Sequence, residues 1–292
     1  ASDVYKRQVG CVWIIVTRGV AEELGGQLGQ SVVVENKPGA STNIGMSAVA
    51  KAVSDGYTLL TASNTLASNA ALFKQLSFDP LTDFTPIGKI GYAPLVIVVQ
   101  ASSPYTSFKD LIDDSKVRSD ALSYGSAGSG SSSHLASELL KQETGAQALH
   151  VPYKGGSLAI KDLLGGRLTF MSINPLEVLP HIQSGKLRAL AVYGAKPVPS
   201  LPNVPTTEAL GFPQLDATVW WGLVGPKGLP PDVVQRLGDA LQVTLKQAAV
   251  QERLAQRGAT VERGGPAEFN AFIQAETRKW DNVIRSAGIE VD

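Results

Sequence analysis

Ala121-Leu-Ser-Tyr-Gly-Ser-Ala-Gly-Ser-Gly-Ser-Ser-Ser-His-Leu-Ala-Ser-Glu-Leu-Leu140 reads as a short strand, a Gly/Ser-rich turn and a helix that begins near Ser132. A turn of this kind presents backbone N–H groups beside hydroxyls at the positive end of a helix, which is a place for an anion. Gly and Ser are also ordinary turn residues, so composition alone leaves a plain flexible turn open. Other chemistries fit worse. The turn lacks the Gly-Lys-[Ser/Thr] ending of a phosphate-binding loop, and Ser133 stands where a dinucleotide fingerprint needs its third glycine. His134 after a run of serines invites a hydrolase reading, but there is no Gly-x-Ser-x-Gly elbow and no acid with a locatable partner position. A capping or hydrogen-bonding role suits His134 better. His150 and His181 read as solitary structural residues, one ending a strand and one on a helix.

Around this stretch the chain alternates. Leu95 to Gln100 is a β-branched strand, and Ser107-Phe-Lys-Asp110 has the form of a capping box opening the helix Leu111 to Lys116. After the central stretch come the strand Ala148 to Val151, the loop Pro152 to Gly156 and the helix Ser157 to Leu164. The strand Leu168 to Ile173, the helix Leu176 to Ser184 and the strand Ala189 to Tyr193 complete an α/β unit.

Upstream, Val12 to Val16 reads as a buried strand. Arg18 to Leu28 is an amphipathic helix with Val20, Leu24 and Leu28 four apart, and Gly29 ends it. Ser31 to Glu35 is the next strand, Asn36 to Gly39 a turn and Thr42 to Lys51 a helix. Tyr57 to Thr61 is a strand running into a polar loop, Ala62 to Thr65. That order predicts a parallel sheet with ligands at its carboxyl ends. Asp79-Pro80 and Asp83 to Pro86 read as turn-rich. Downstream, prolines 197, 199, 202 and 205 make a stiff connection, then Val219 to Val224 is a strand and Pro231 to Ala248 and Pro266 to Ala287 are helices. Trp220 and Trp221 sit at the second crossover and read as core or hinge packing.

The second unit is thus spliced into the first. The expected division is one lobe from residues 9–96 plus 222–292 and an inserted lobe from 97–221, with two crossover strands between them. Residues 1–8 carry no pattern and are read as unstructured or artefactual. Hinge closure around a ligand is the natural use of such a design.

Composition narrows the function. Lys+Arg and Asp+Glu are both 26, which argues against a general nucleic-acid or membrane-surface binder, since that needs a basic excess. A single cysteine and three histidines do not support a Cys-rich zinc site, and no cofactor is expected. No apolar run reaches the ~20 residues of a membrane span, so no direct membrane insertion is expected. Lys6 and Arg7 precede the run Val9 to Val16, but no small-x-small cleavage site follows, which favours a strand over a signal peptide.

Further segments carry a resemblance. Val33-Val-Glu-Asn-Lys-Pro-Gly-Ala40, Ala50-Lys-Ala, Asp55-Gly-Tyr-Thr-Leu-Leu60 and Asp83-Phe-Thr-Pro-Ile87 resemble the extracytoplasmic solute receptors of tripartite tricarboxylate transporters, the TctC or Bug family. So do Tyr124-Gly-Ser126, His134-Leu135, Val151-Pro-Tyr-Lys-Gly155, Gly185-Lys-Leu-Arg-Ala-Leu-Ala191, Val204-Pro-Thr206 and Trp221-Gly-Leu223. The match runs from about Arg18 to the C-terminus. The resemblance implies a periplasmic binding protein of type II-like fold: two α/β lobes joined by two crossover strands, with a ligand cleft between them. It implies a monomer, not an enzyme, that captures a small carboxylate for the membrane permease subunits of the transporter. Family ligands are diverse acids, gripped mainly by backbone amides, hydroxyls and bridging waters.

Carried over by position, the implied ligand-binding residues are Ser126, Ala127, Gly128, Ser129, Gly130, Ser131, Ser132 and His134 in the central turn. Ser63, Asn64 and Thr65 in the first lobe join them, with Lys154 and Gly155 on another loop and Asn174 at a strand end where the family often has Asp. One segment departs from the pattern. The family has a Pro/Gly-rich loop ending in Gly-Gly-x-x-Asp after its first strand, whereas here Val16 runs at once into Thr17-Arg18-Gly19 and a helix. Two alternatives stand beside the receptor: a Ser/His-dependent hydrolase, and a ligand-blind sensor or interaction protein on the same fold, which the shortened loop favours.

Overall fold

The structure, a computed structural model, describes residues 12–37, 39–118, 122–256 and 258–291. The expectation for residues 1–8 lies outside them, as does Ala121. The chain divides into two compact units. The first comprises residues up to Tyr92 with Trp220–Asp281, and the second Ala93–Val219 with the residues from Asn282 onward. The chain passes from one unit to the other inside two strands, Phe84–Pro94 and Thr218–Pro226.

The first unit opens with helix α1 (Val12–Leu28), followed by a short 3-10 turn, Ala40–Thr42, and α2 (Asn43–Ala50). Next come β1 (Leu60–Ala62), α3 (Asn64–Leu72) and β2 (Phe84–Pro94). Three expectations fail here. Val12 to Val16 is not a strand but the first turns of α1. Val16, Val20 and Leu24, four apart, are all buried, so the apolar stripe of the helix simply continues upstream. Ser31 to Glu35 forms no strand either.

The sheet is correspondingly not parallel where its pairings are described. It has the order β1-β8-β2-β9, with β8 (Thr218–Pro226) and β9 (Thr260–Gly264) supplied by the far end of the chain. Leu60 lies opposite Val224 and Lys89 opposite Gly264, both in antiparallel pairs. The turn-rich reading of Asp83 to Pro86 gives way to the start of β2, and the loop Ala62 to Thr65 shrinks to Ser63 alone. Helices α8 (Pro231–Lys246), α9 (Ala248–Ala255) and α10 (Pro266–Ala287) complete the chain, of which α9 and β9 were not anticipated. The core gathers large aromatics: Trp220 meets Phe269 edge-on at 5.7 Å, and Gly222 lies so close to Phe269 that a side chain there would overlap its ring. Buried Glu276 accepts from Trp220 Nε1 at 3.2 Å and Trp280 Nε1 at 3.0 Å and is paired with Lys279, which lets its charge sit inside.

The second unit follows its expected alternation. Its elements are β3 (Val96–Gln100), α4 (Phe108–Val117), β4 (Ser123–Ser126), α5 (Ser132–Thr144), β5 (Leu149–Pro152), α6 (Gly156–Leu164), β6 (Phe170–Ile173), α7 (Pro175–Gln183) and β7 (Leu187–Val192). The sheet order is β5-β4-β6-β3-β7. The βα-connected strands β5, β4 and β6 pair in parallel, and β3 is antiparallel to both β6 and β7. Helices cover this sheet, so Val96 to Val99 are buried on both sides, as an unbroken β-branched run requires. The capping box at Ser107 forms in full, with Asp110 as its acid. Two α/β units joined by crossover strands make the type II periplasmic binding fold.

Candidate functional site

The turn between β4 and α5 is shaped from within. Gly128 (φ 129°) and Gly130 (φ 74°) adopt conformations that side chains resist, so the chain can reverse between them. Its serines serve mostly as scaffolding. Ser126 Oγ accepts from Gly128 N–H at 3.2 Å, and Ser133 Oγ accepts from Ala127 N–H at 2.9 Å. Ser131 caps α5: its Oγ accepts from His134 N–H at 3.4 Å and donates to Gly128 O at 2.6 Å. Gly130 N–H goes to His134 Nδ1 at 3.0 Å, and Ser131 N–H to Gly128 O at 3.1 Å. The N–H groups of Ser129, Ser132 and Ser133 find no acceptor among the described residues. Three backbone donors therefore remain at the positive end of a 13-residue helix.

Beneath the turn lies a stack of rings. His134 and His150 are 3.8 Å apart with planes 11° from parallel, and Tyr124 continues the stack 4.9 Å from His150. The parallel register of β4 and β5 sets Tyr124 beside His150. The Tyr124 hydroxyl bonds Glu138, which Lys141 pairs with at 2.8 Å. Burial, then the neighbouring His150 and Lys141, pushes the His134 imidazole down to about 3. Burial also lowers His150, against the opposing pull of Glu138. Two imidazolium charges at this spacing would repel by about 4 kcal/mol at an effective dielectric constant of about 20, so the stack stays uncharged at neutral pH. The reading of His150 as solitary is thus corrected. It was missed because the strand register, not local sequence, brings it under His134.

Ser126 Oγ lies 2.7 Å from His150 Nε2, a Ser/His contact with a different histidine from the one expected. Ser126 is fully buried and its hydroxyl is shared with Gly128, so it is not placed to attack a substrate. Among the described residues no group of His, Cys, Asp and Glu could hold a metal ion.

The remaining predicted residues fall in three places. Lys154 is exposed in the bend before α6, and Gly155 (φ 117°) is the N-cap of that helix. Asn174 is buried and caps α7, accepting from Leu176 N–H at 3.0 Å. Ser63, Asn64 and Thr65 belong to the first unit, at the start of α3. Asn64 Oδ1 accepts from Trp220 N–H at 3.1 Å, and Thr65 Oγ1 accepts from Thr42 at 2.8 Å. Ser63 is the N-cap but makes no capping bond, and its buried Oγ has no partner among the described residues. Beside them Ala40, Ser41 and Thr42 are left-handed (φ 45°, 48°, 72°), and Asn69 Nδ2 holds that turn through Ser41 O at 2.8 Å and Asn43 Oδ1 at 2.7 Å. Thr17 and Arg18, where the family's first loop would stand, lie inside α1.

Comparison with known proteins agrees along nearly the whole chain. The family model described as "Tripartite tricarboxylate transporter family receptor" matches residues 16–289. Protein BugT of Bordetella pertussis is 36% identical over 279 residues, covering 95% of this chain and 86% of BugT. A solved structure, "R. palustris Rpa4515 with adipate", is 34% identical with a TM-score of 0.85, covering 97% of this chain and 96% of that one. Another, MatC (Rpa3494) from Rhodopseudomonas palustris with bound malate, is 28% identical with a TM-score of 0.80, covering 95% and 96%.

Proposed function

This chain belongs to the tripartite tricarboxylate transporter receptor family, and from that premise we propose that it captures a small organic acid by a carboxylate at the start of α5. It is a periplasmic solute-binding protein, not an enzyme, and serves the membrane components of that transporter class. The observation that carries the carboxylate reading is the set of unaccepted N–H groups at Ser129, Ser132 and Ser133, in a turn whose other described amides already have acceptors. Ser129 and Ser132 add hydroxyls at the same place, and Lys154 an exposed cation on a neighbouring loop of this unit. Adipate and malate, bound by the two related proteins, are the first acids to try.

Ser132 offers a clean test. It is the first residue of α5, where proline is favoured, and Ser131 before it (φ −68°, ψ 160°) already has the conformation a following proline demands. Measured against Ser132→Ala, which lacks the hydroxyl alone, Ser132→Pro therefore removes one backbone donor with the helix intact. A bound acid should raise the melting temperature of the natural chain, by about 2.7 kcal/mol of stabilisation at a hundredfold excess over Kd. Ser132→Pro should weaken that acid about tenfold or more, the worth of one charge-assisted hydrogen bond. A panel of carboxylates with no thermal shift, or equal binding by Ser132→Pro, overturns the proposal. The second reading, a ligand-blind interaction protein, is favoured by the helical course of Val12–Leu28 through the place of the family's first loop. It predicts retention of a membrane partner with no thermal shift from any acid.

A further inference from the structure

We infer that His134 and His150 are paired positioning residues for the anion-binding turn, each holding one end of it through an uncharged ring nitrogen. The inference rests on the carboxylate reading above. At one end Ser126 Oγ meets His150 Nε2 at 2.7 Å. At the other Gly130 N–H donates to His134 Nδ1 at 3.0 Å. The two rings lie face to face at 3.8 Å, so both ends of the turn are tied to one plate. The plate is itself braced. Tyr124 from β4 stacks on His150 at 4.9 Å, and its hydroxyl is held by Glu138, which Lys141 neutralises from the same helix.

Only Ala127, Gly128 and Ser129 lie between the two anchors, and the Ser129 amide is one of the three open donors. A glycine at φ 74° does not hold its own orientation, because glycine moves among backbone states at little cost. The acceptor at Nδ1 supplies the missing constraint. His134 is 5% exposed and its Nδ1 is already occupied, so through that nitrogen the ring acts on the turn. The geometry also fixes a tautomer: His134 carries its proton on Nε2 and keeps Nδ1 bare.

The test combines a spectroscopic signature with conservative rescue. Ring ¹⁵N NMR of the unliganded chain at neutral pH should show His134 with an unprotonated Nδ1, and the Gly130 amide should exchange slowly. Adipate affinity is then compared in His134→Phe, which keeps the stack but loses the acceptor, and His134→Asn, whose Oδ1 stands near the place of Nδ1. His134→Phe should lose about tenfold or more in affinity, and His134→Asn should recover most of it. His150→Gln, which replaces Nε2 with an amide, should likewise bind better than His150→Phe. Equal affinity in the Phe and Asn variants, a protonated Nδ1, or rapid exchange at Gly130 overturns the inference. The NMR arm needs neither ligand nor variant. It decides the positioning claim even if a variant fails to fold, and if adipate binds nothing it separates that failure from this one.

Discussion

Each unit contains a strand that runs into a helix through a serine N-cap, and the two starts are built in opposite ways. In the first unit β1 reaches α3 through Ser63 alone, and that serine caps nothing. The donors and acceptors nearby serve the fold: Asn64 holds the backbone of Trp220, and Thr65 holds Thr42. In the second unit five residues separate β4 from α5, two of them glycines at positive φ, and Ser131 caps the helix. There the side chains satisfy the turn and leave backbone N–H groups over. A helix start becomes a candidate anion site when its own loop takes care of its other polar groups. At the α3 start the Asn64 and Thr65 side chains are taken up by the fold instead.

The sharpest way to separate the two regions is pH, because all three histidines lie in the second unit and all four tryptophans in the first. His134 titrates near 3 when folded and near its ordinary value when unfolded, so below pH about 6.5 the unfolded chain binds the extra proton. Stability is therefore full above that pH and falls as pH drops toward 3, by about 1.4 kcal/mol per pH unit for this group. Urea titrations should show far-UV circular dichroism losing stability with acid ahead of tryptophan fluorescence, with a shallower pH slope in His134→Asn. Coincident curves with no change of slope would break the contrast.

Asn64→Ala comes next. It strips the buried Trp220 N–H of its acceptor and should cost about 1–3 kcal/mol, read by tryptophan fluorescence in urea, with adipate binding by the second unit's turn retained. Ser131→Ala should cost about 1 kcal/mol, the usual worth of a helix cap, and weaken adipate as the turn loosens. The smallest effect is the most telling. Ser63→Ala removes a buried hydroxyl that has no partner among the described residues, so it should be neutral or slightly stabilising in the same melts. A loss at Ser63 equal to that at Ser131 would mean the two serines cap alike.

The second unit was readable because its order is written locally. Ser107 to Asp110 states its own cap, Gly145 its own helix end at φ 71°, and the strands β3 to β6 are each followed by a helix. In the first unit the partners of β1 and β2 are β8 and β9, far away in the chain, and no local pattern announces such pairs. The misread start is ambiguous in itself: Val12 to Val16 is apolar enough for either period, and only the four-residue spacing of Val16 from Val20 and Leu24 argues for a helix. At the candidate site, the strand–turn–helix could be read in the sequence. Which serine would be spent on the turn, and which amide left open, follows from glycine torsions and the β4–β5 register.

The way the chain threads its two units also sets an order in time. Residues 93–219 leave the ribosome as one unbroken run, and Leu95 N–H bonds Ala217 O at 3.0 Å, joining the beginning of that run to its end. Apart from the end of α10, this unit has every strand it needs once residue 219 has emerged. The first unit begins sooner but waits: β1 has no partner until β8 is made, and β2 none of its β9 neighbour until later still. At roughly 5–20 residues per second that delay is on the order of ten seconds. The unit that starts first thus finishes last, and its early strands and helices are the stretch of nascent chain that a holding chaperone would have to shelter.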